Sequence, residues 1–248
     1  MCVSPTTTKP ADTPSITADS LHPVAVRALV FDVFGTLVDW RSGVAEAFRA
    51  CGLADDPEEL ADDWRARYPR ILAEVNDASR PWGNFDELHL VTLGDLLADR
   101  GIDLSAEERG QLVGAWHRLD PWPDVRAGLE AVRRRRVVAT LSNGHLALLV
   151  DLARHGDLRF DCVLSAELAR AYKPAPEVYL SAARLLGREP AELMMVAAHP
   201  WDLEGARRAG LRTAFVDRPL EYGAGSAGRA DPAADESVAD LRELAERL

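Results

Sequence analysis

Leu29-Val30-Phe31-Asp32-Val33-Phe34-Gly35-Thr36 is the stretch on which the reading of this chain turns. It closes Val26–Phe31, a nearly continuous apolar run in which Arg27 is the only charge. Such a run is the pattern of a strand buried on both faces. A carboxylate directly behind these hydrophobes is not needed for folding. Gly35 and Thr36 then permit a tight turn and offer a hydroxyl and backbone N–H groups beside it. Taken alone, the segment also reads as an Asp capping a turn, because Asp is a common turn residue.

Outward from this segment the pattern repeats. Val137–Leu141 ends in Ser142-Asn143-Gly144, Leu193–Ala198 ends in His199-Pro200-Trp201-Asp202, and Thr213–Val216 ends in Asp217-Arg218-Pro219. Between these runs, helical spacing covers Asp124–Arg135, Leu146–His155, Pro176–Leu186 and Leu203–Ala209, with Gly156, Gly187 and Gly210 where C-terminal caps belong. Alternating strands and helices predict an α/β fold with a Rossmann-like parallel sheet covered on both faces. Ligands in such sheets gather beyond the carboxyl ends of the strands. Arg41–Asp120 breaks the alternation with helical patterns at Asp55–Val75, Asn84–Arg100 and Ser105–Trp116. The expected organisation is therefore a leader over 1–25, a core over 26–40 and 121–248, and an inserted, mainly helical cap domain over 41–120. Gly223–Ala234 reads as a flexible link to a last helix at about Ser237–Leu248. There are no internal repeats.

Composition narrows the function classes. The chain has 248 residues and a net charge of −11, which disfavours nucleic-acid and anionic-membrane partners. The three cysteines, Cys2, Cys51 and Cys162, form no C-x-x-C pair, so neither a disulfide framework nor a zinc-cysteine site follows. A cytoplasmic location fits best. The Thr/Pro/Ser/Asp-rich leader reads as disordered rather than as a signal peptide, and no apolar run is long enough to span a membrane.

Each polar strand end is a modest signal alone: Ser142-Asn143 a turn, Lys173 a solvated surface lysine, Asp202 a helix N-cap. Their order is the stronger signal. Asp32 with Gly35-Thr36, then Ser142, then Lys173 in Tyr172-Lys173-Pro174, then Asp202 resembles the haloacid dehalogenase superfamily from about Arg27 to Tyr222. The resemblance implies that Asp32 is the nucleophile, that Thr36 and Ser142 bind around it, that Lys173 balances its charge and that Asp202 is the acidic residue of the last motif.

Most members of that superfamily are magnesium phosphatases with a second Asp two residues after the nucleophile, acting as a general acid. Here that place is Phe34, and Ala197–Asp202 carries one carboxylate where paired acids hold magnesium. Displacing a halide needs neither, because halide leaves as a stable anion without a proton. It needs an apolar pocket, for which Phe34, Trp40 and Trp201 are candidates, and a cationic halide site, for which Arg65 and Arg41 are candidates.

The branch acting on 2-haloacids is similar further: Asp32–Thr36, Trp64-Arg65, Ser142–Gly144, Tyr172–Pro174 with Val178-Tyr179, and Trp201-Asp202 all match its motifs. This implies halide contacts from Arg65 and Asn143, and a pocket lined by Tyr179 and Trp201. The chain departs from the branch's Ser-Ser-Asn-x-Trp-Asp pattern at Ala197-Ala198-His199, which bears on carboxylate binding and substrate size.

The expected reaction is attack of Asp32 on the α-carbon to form an ester, followed by hydrolysis with water placed by Asp202 and His199. No metal or other cofactor is expected. The partner is a small 2-haloacid, and the cap surface suggests a homodimer. His145 is a further candidate to face the site. His89 and His117 read as packing or surface residues, His155 as a helix-end cation, and Trp64, Trp82 and Trp116 as cap core. Two alternatives stand: a magnesium phosphatase of the same fold acting on a small phosphomonoester, and a non-catalytic domain binding a small acid or a protein.

Overall fold

Four apolar runs and one shorter segment build a five-stranded sheet in which every pairing is parallel. The computed structural model describes residues 25–53, 56–224 and 230–248. The expected leader, with Cys2 and His22, lies outside them apart from Ala25, as does the middle of the Gly223–Ala234 link. The strands are β1 (Ala28–Phe31), β2 (Val137–Thr140), β3 (Leu193–Ala197), β4 (Arg212–Val216) and β5 (Glu236–Val238), in the order β2-β1-β3-β4-β5. β1 lies between β2 and β3 and is buried along its whole length, with Phe31 opposite Thr140 on one side and Val196 on the other. The chain moves to one side of β1 for β2 and to the other for β3. The crevice at the carboxyl ends of β1 and β3 is therefore the switch point where such sheets bind ligands.

The insertion after β1 is helical: α1 (Trp40–Ala50), α2 (Pro57–Ala66), α3 (Tyr68–Asn76), α4 (Phe85–Arg100) and α5 (Ala106–Ala115), followed by a 3₁₀ turn at Trp116–Arg118. Capping boxes at Asn84/Glu87 and Ser105/Glu108 satisfy the free N–H groups that begin α4 and α5. The core helices are α6 (Val125–Arg133), α7 (Leu146–His155), α8 (Pro176–Leu186), α9 (Pro200–Arg208) and α10 (Leu241–Arg247).

Four expectations need correction. The single helix at Asp55–Val75 is two, because Pro69 enters at the start of α3 and cannot continue the preceding hydrogen-bond ladder. α1 was not expected as a separate helix; it is built on Trp40, Val44, Ala45 and Phe48, buried at one face. The last helix begins only at Leu241, and the residues before it pair with β4 as an edge strand. Gly156 is in the right-handed region, and the left-handed turn falls on Asp157.

The loop behind β1 is held from three sides. Trp122 Nε1 donates to the Gly35 carbonyl at 2.9 Å, Arg218 Nε donates to the Thr36 carbonyl at 2.9 Å, and the Trp122 N–H donates to the Leu37 carbonyl at 3.0 Å. Arg218 is itself fixed by a bidentate pair to Asp124 at 2.8 and 2.9 Å, and the Asp124 carboxylate also receives the Leu241 N–H. Removing this carboxylate leaves a largely buried guanidinium unpaired, which costs about 3–5 kcal/mol. Asp124→Ala is therefore expected to lower the urea unfolding midpoint by that equivalent in stability, with an unchanged midpoint as the contrary result.

Candidate active site

Asp32 sits at the carboxyl end of β1 and is buried, yet both of its oxygens are engaged. Oδ1 accepts from Lys173 Nζ at 2.9 Å. Oδ2 accepts from Thr36 Oγ1 at 2.8 Å and from His199 Nδ1 at 3.0 Å. The Thr36 hydroxyl in turn accepts the Ala198 N–H at 3.0 Å, so the loops after β1 and β3 are cross-linked through the group that cradles the carboxylate.

Burial by itself would raise the Asp32 carboxyl pKa. The Lys173 charge, together with the His199 hydrogen bond and charge, overrides this and holds it well below the ordinary carboxylate range. Burial disfavours charge on Lys173 too, but Asp202 and Asp32 more than offset it and raise its pKa. Lys173 bridges these two carboxylates, and Asp202 also accepts from the Tyr179 hydroxyl at 2.7 Å. Asp202 is raised by its burial, with the Asp32 charge adding to the effect and Lys173 opposing it. Asn143 fixes the lysine's backbone, its side-chain oxygen accepting the Lys173 N–H at 2.8 Å.

His199 is the junction of a second buried chain. Its Nδ1 faces Asp32, and its Nε2 faces Glu221 Oε1 at 3.0 Å. Carboxylates accept only, so both ring nitrogens donate and the ring is an imidazolium. Burial disfavours that cation, but hydrogen bonds to Asp32 and Glu221 and their charges push its pKa up to about 9. Trp40 Nε1 donates to the same Glu221 oxygen at 3.0 Å. Gly35, at φ 83°, lies directly under this carboxylate, so a Cβ there would collide with Glu221 as well as strain the backbone.

The crevice opens into a mainly apolar cavity of about 770 Å³ between the sheet edge and the helical insertion. Asp32, Phe34, Arg65, Asn143, Lys173, His199 and Trp201 all line it. Phe34 packs between Phe85 and Trp116, with ring centroids 5.6 Å from each. Arg65 lies over the Tyr68 ring at 4.9 Å and has no ion-pair partner among the described residues.

Several expected placements are not met. Arg41 is clamped on Asp62 by bonds of 2.8, 3.1 and 2.8 Å and does not line the cavity, which leaves Arg65 as the cavity's arginine. Tyr179 lies behind the cavity wall, where it serves Asp202. Asp202 is fully buried and absent from the lining, its oxygens accepting from Lys173 and Tyr179, so it does not face the cavity. The Ser142 hydroxyl accepts the Gly144 N–H at 3.2 Å and makes no hydrogen bond to Asp32 among the described residues. Trp40 is a buried partner of Glu221 rather than a cavity wall. His145 faces Asp86, away from Asp32.

The residue that sequence reasoning missed is Glu221, which stands in a turn after β4 with no periodic pattern around it. Only the arrival of His199 beside a nucleophile hinted at a second acid. His199 owes part of its cationic character to this carboxylate. The imidazolium's contribution to stability is present below the unfolded pKa near 6.5 and is lost as pH rises through about 9. In Glu221→Gln the His199 titration, followed by NMR of the imidazole ring, is expected to fall below its wild-type position. A value unmoved from the wild type would show that Glu221 does not hold the proton.

Comparison with known proteins agrees with this geometry. Residues 26–210 match the family described as haloacid dehalogenase-like hydrolase. The chain is 31% identical over 203 residues to an (S)-2-haloacid dehalogenase of a Pseudomonas species, covering 79% of this chain and 88% of the relative. It superposes on the crystal structure of an L-2-haloacid dehalogenase with a TM-score of 0.85 at 44% identity, over 90% of this chain and 98% of the other. A defluorinating L-2-haloacid dehalogenase gives a TM-score of 0.84 at 39% identity, over 90% and 95%. With a family match over most of its length and relatives above 30% identity covered to two thirds or more, the chain is a member of the haloacid dehalogenase-like hydrolase family.

Proposed function

We propose that this chain is a metal-independent hydrolytic dehalogenase that converts (S)-2-haloacids, such as 2-halopropionate, and haloacetate to 2-hydroxyacids through an ester on Asp32. The observation that carries this reading is the setting of Asp32. The carboxylate is held ionised by two cationic donors of the protein, Lys173 and His199, and faces an apolar cavity with Phe34 where a phosphatase needs an acid. The names of the relatives support the substrate class.

In the first step Asp32 attacks the halogen-bearing carbon. Oδ1, with a single hydrogen-bond partner, keeps a lone pair for the attack. The carbon–halogen bond breaks with both electrons on the halide, and the configuration inverts. Arg65 and Asn143 receive the halide, beside the apolar surfaces of Phe34 and Trp201. Lys173, His199 and Arg65 together make the cavity attractive to an anionic acid.

Ester formation removes the charge on Asp32. His199 then loses one of its two anionic partners, and its Nδ1 proton passes to solvent. The neutral ring, oriented by Glu221, takes a proton from water as the water oxygen attacks the Asp32 carboxyl carbon. Collapse of the tetrahedral adduct returns that proton to the departing 2-oxygen, and the second water proton restores the imidazolium. The net products are the 2-hydroxyacid, halide and one proton. This leaves to His199 alone the water step expected of Asp202 and His199 together, because Asp202 is buried and does not line the cavity.

A panel of chloro-, bromo- and fluoroacetate and both 2-chloropropionate enantiomers, with a phosphomonoester as control, tests the reading. Halide release insensitive to EDTA is expected, and Asp32→Asn is expected to lower it by a factor on the order of 10⁴ or more. A single turnover in H₂¹⁸O is expected to leave label in Asp32. EDTA-sensitive phosphate release without halide release would overturn the assignment in favour of a phosphatase. No turnover and no label would favour a binding role.

A further inference from the structure

Outside the catalytic crevice, one group of side chains is arranged as ligands without being used as such. Asp86 stands in the first turn of α4, His117 in the 3₁₀ turn after α5, and His145 at the N-terminal end of α7. One potential ligand atom from each lies within 4.8 Å of the other two. His117 Nε2 is 3.1 Å from both Asp86 oxygens, and His145 Nε2 is 3.6 Å from Asp86 Oδ2. Donor atoms around a tetrahedral ion with arms of 2.0–2.1 Å stand about 3.3–3.4 Å apart, so these spacings bracket the expected value.

Two observations set this group apart from an ordinary surface ion pair. His145 is nine-tenths buried and makes no side-chain hydrogen bond among the described residues. Its Nδ1 has no partner, and its Nε2 points at a carboxylate from beyond hydrogen-bond range. A buried polar ring in that position is costly unless something completes it. His117 has the second feature. Its Nδ1 is 2.8 Å from Asp151 Oδ2, which keeps a proton on that nitrogen, while its Nε2 donates to Asp86; an ion would take the place of that Nε2 proton. A carboxylate on the far nitrogen is how metal-binding histidines are oriented and made more basic. Asp86, His117 and Asp151 also line a cavity of about 580 Å³ that gives an ion a way in.

We propose that Asp86, His117 and His145 form a binding site for a divalent transition ion of the zinc type, with Asp151 as the positioning residue. Two imidazoles and one carboxylate suit such an ion, and the fourth position faces the cavity. The site joins the insertion to the core: Asp86 follows Phe85, which packs on Phe34, and His145 follows Gly144, which lies against the same ring. Bound metal would tie α4 to the start of α7 behind the wall of the substrate cavity. It is separate from Asp32 and takes no part in the dehalogenation chemistry.

The full chain, stripped with EDTA and freed of chelator, tests this by equilibrium dialysis against zinc and by titration with Co²⁺. One zinc per chain is expected at micromolar free metal, with a Co²⁺ visible spectrum of low coordination number. Zinc is also expected to shift the ¹⁵N ring resonances of His117 and His145 in the unmodified protein, a readout that does not depend on any variant folding. His145→Gln and Asp86→Asn are expected to weaken binding at least 100-fold, and Asp151→Asn about 10- to 100-fold. Absence of stoichiometric binding overturns the proposal. So does binding that leaves these two histidine resonances unmoved, or that is unchanged in His145→Gln.

Discussion

Taking the Asp32 carboxylate out of water is the constraint around which the rest of the molecule is arranged. An unpaired buried carboxylate costs several kcal/mol even after relaxation, so its presence demands fixed compensating charge. Lys173 and His199 provide it, one on each oxygen. Each then needs a partner of its own, and Asp202 and Glu221 fill those places. The result is an alternating chain of buried charges, Asp202–Lys173–Asp32–His199–Glu221, that spans the carboxyl edge of the sheet. Only a parallel sheet with β1 between β2 and β3 delivers these residues to one crevice. Gly35 exists at the one place where any side chain would collide with the end of this chain.

The helical insertion matters because it sets the medium in which that charge acts. Phe34, Trp64, Tyr68, Phe85 and Trp116 form a contiguous aromatic mass over the crevice. It lowers the local dielectric and thereby strengthens each interaction with Asp32. Asn76 ties the insertion to the core by accepting the Tyr172 N–H at 2.8 Å and donating to its carbonyl at 2.9 Å, one residue before Lys173. Lys173, the counter-charge of Asp32, is thus positioned partly from the insertion and partly by Asn143. An apolar cavity lined by Lys173 and Arg65, with Phe34 two places after Asp32, favours a leaving group that departs as a stable anion.

The sequence displayed the strand ends clearly because buried parallel strands are continuous apolar runs, and a polar residue at the end of such a run stands out. Asp32, Ser142, His199 and the helices between them were legible for that reason. Arg65 and Arg41 were not separable, since only the fold shows that Arg41 is spent on Asp62. Asp202 looked like a water-positioning acid because a residue type does not reveal how many of its lone pairs are occupied. Glu221 left no local trace; its significance comes from meeting His199 across the sheet edge. β5, of three residues at an edge, carries too little apolar pattern to distinguish from the helix that follows, and the break that Pro69 makes between α2 and α3 was passed over because the helical spacing continues on both sides of it.

In the proposed mechanism Asp32 is the nucleophile and His199 serves the second step rather than the first. Mixing a His199→Ala variant with 2-chloropropionate and measuring intact and peptide masses tests both parts at once. One equivalent of chloride is expected per chain, after which turnover stalls with a 1-carboxyethyl ester on the peptide containing Asp32. Steady chloride release with no adduct, or an adduct on another residue, would contradict it.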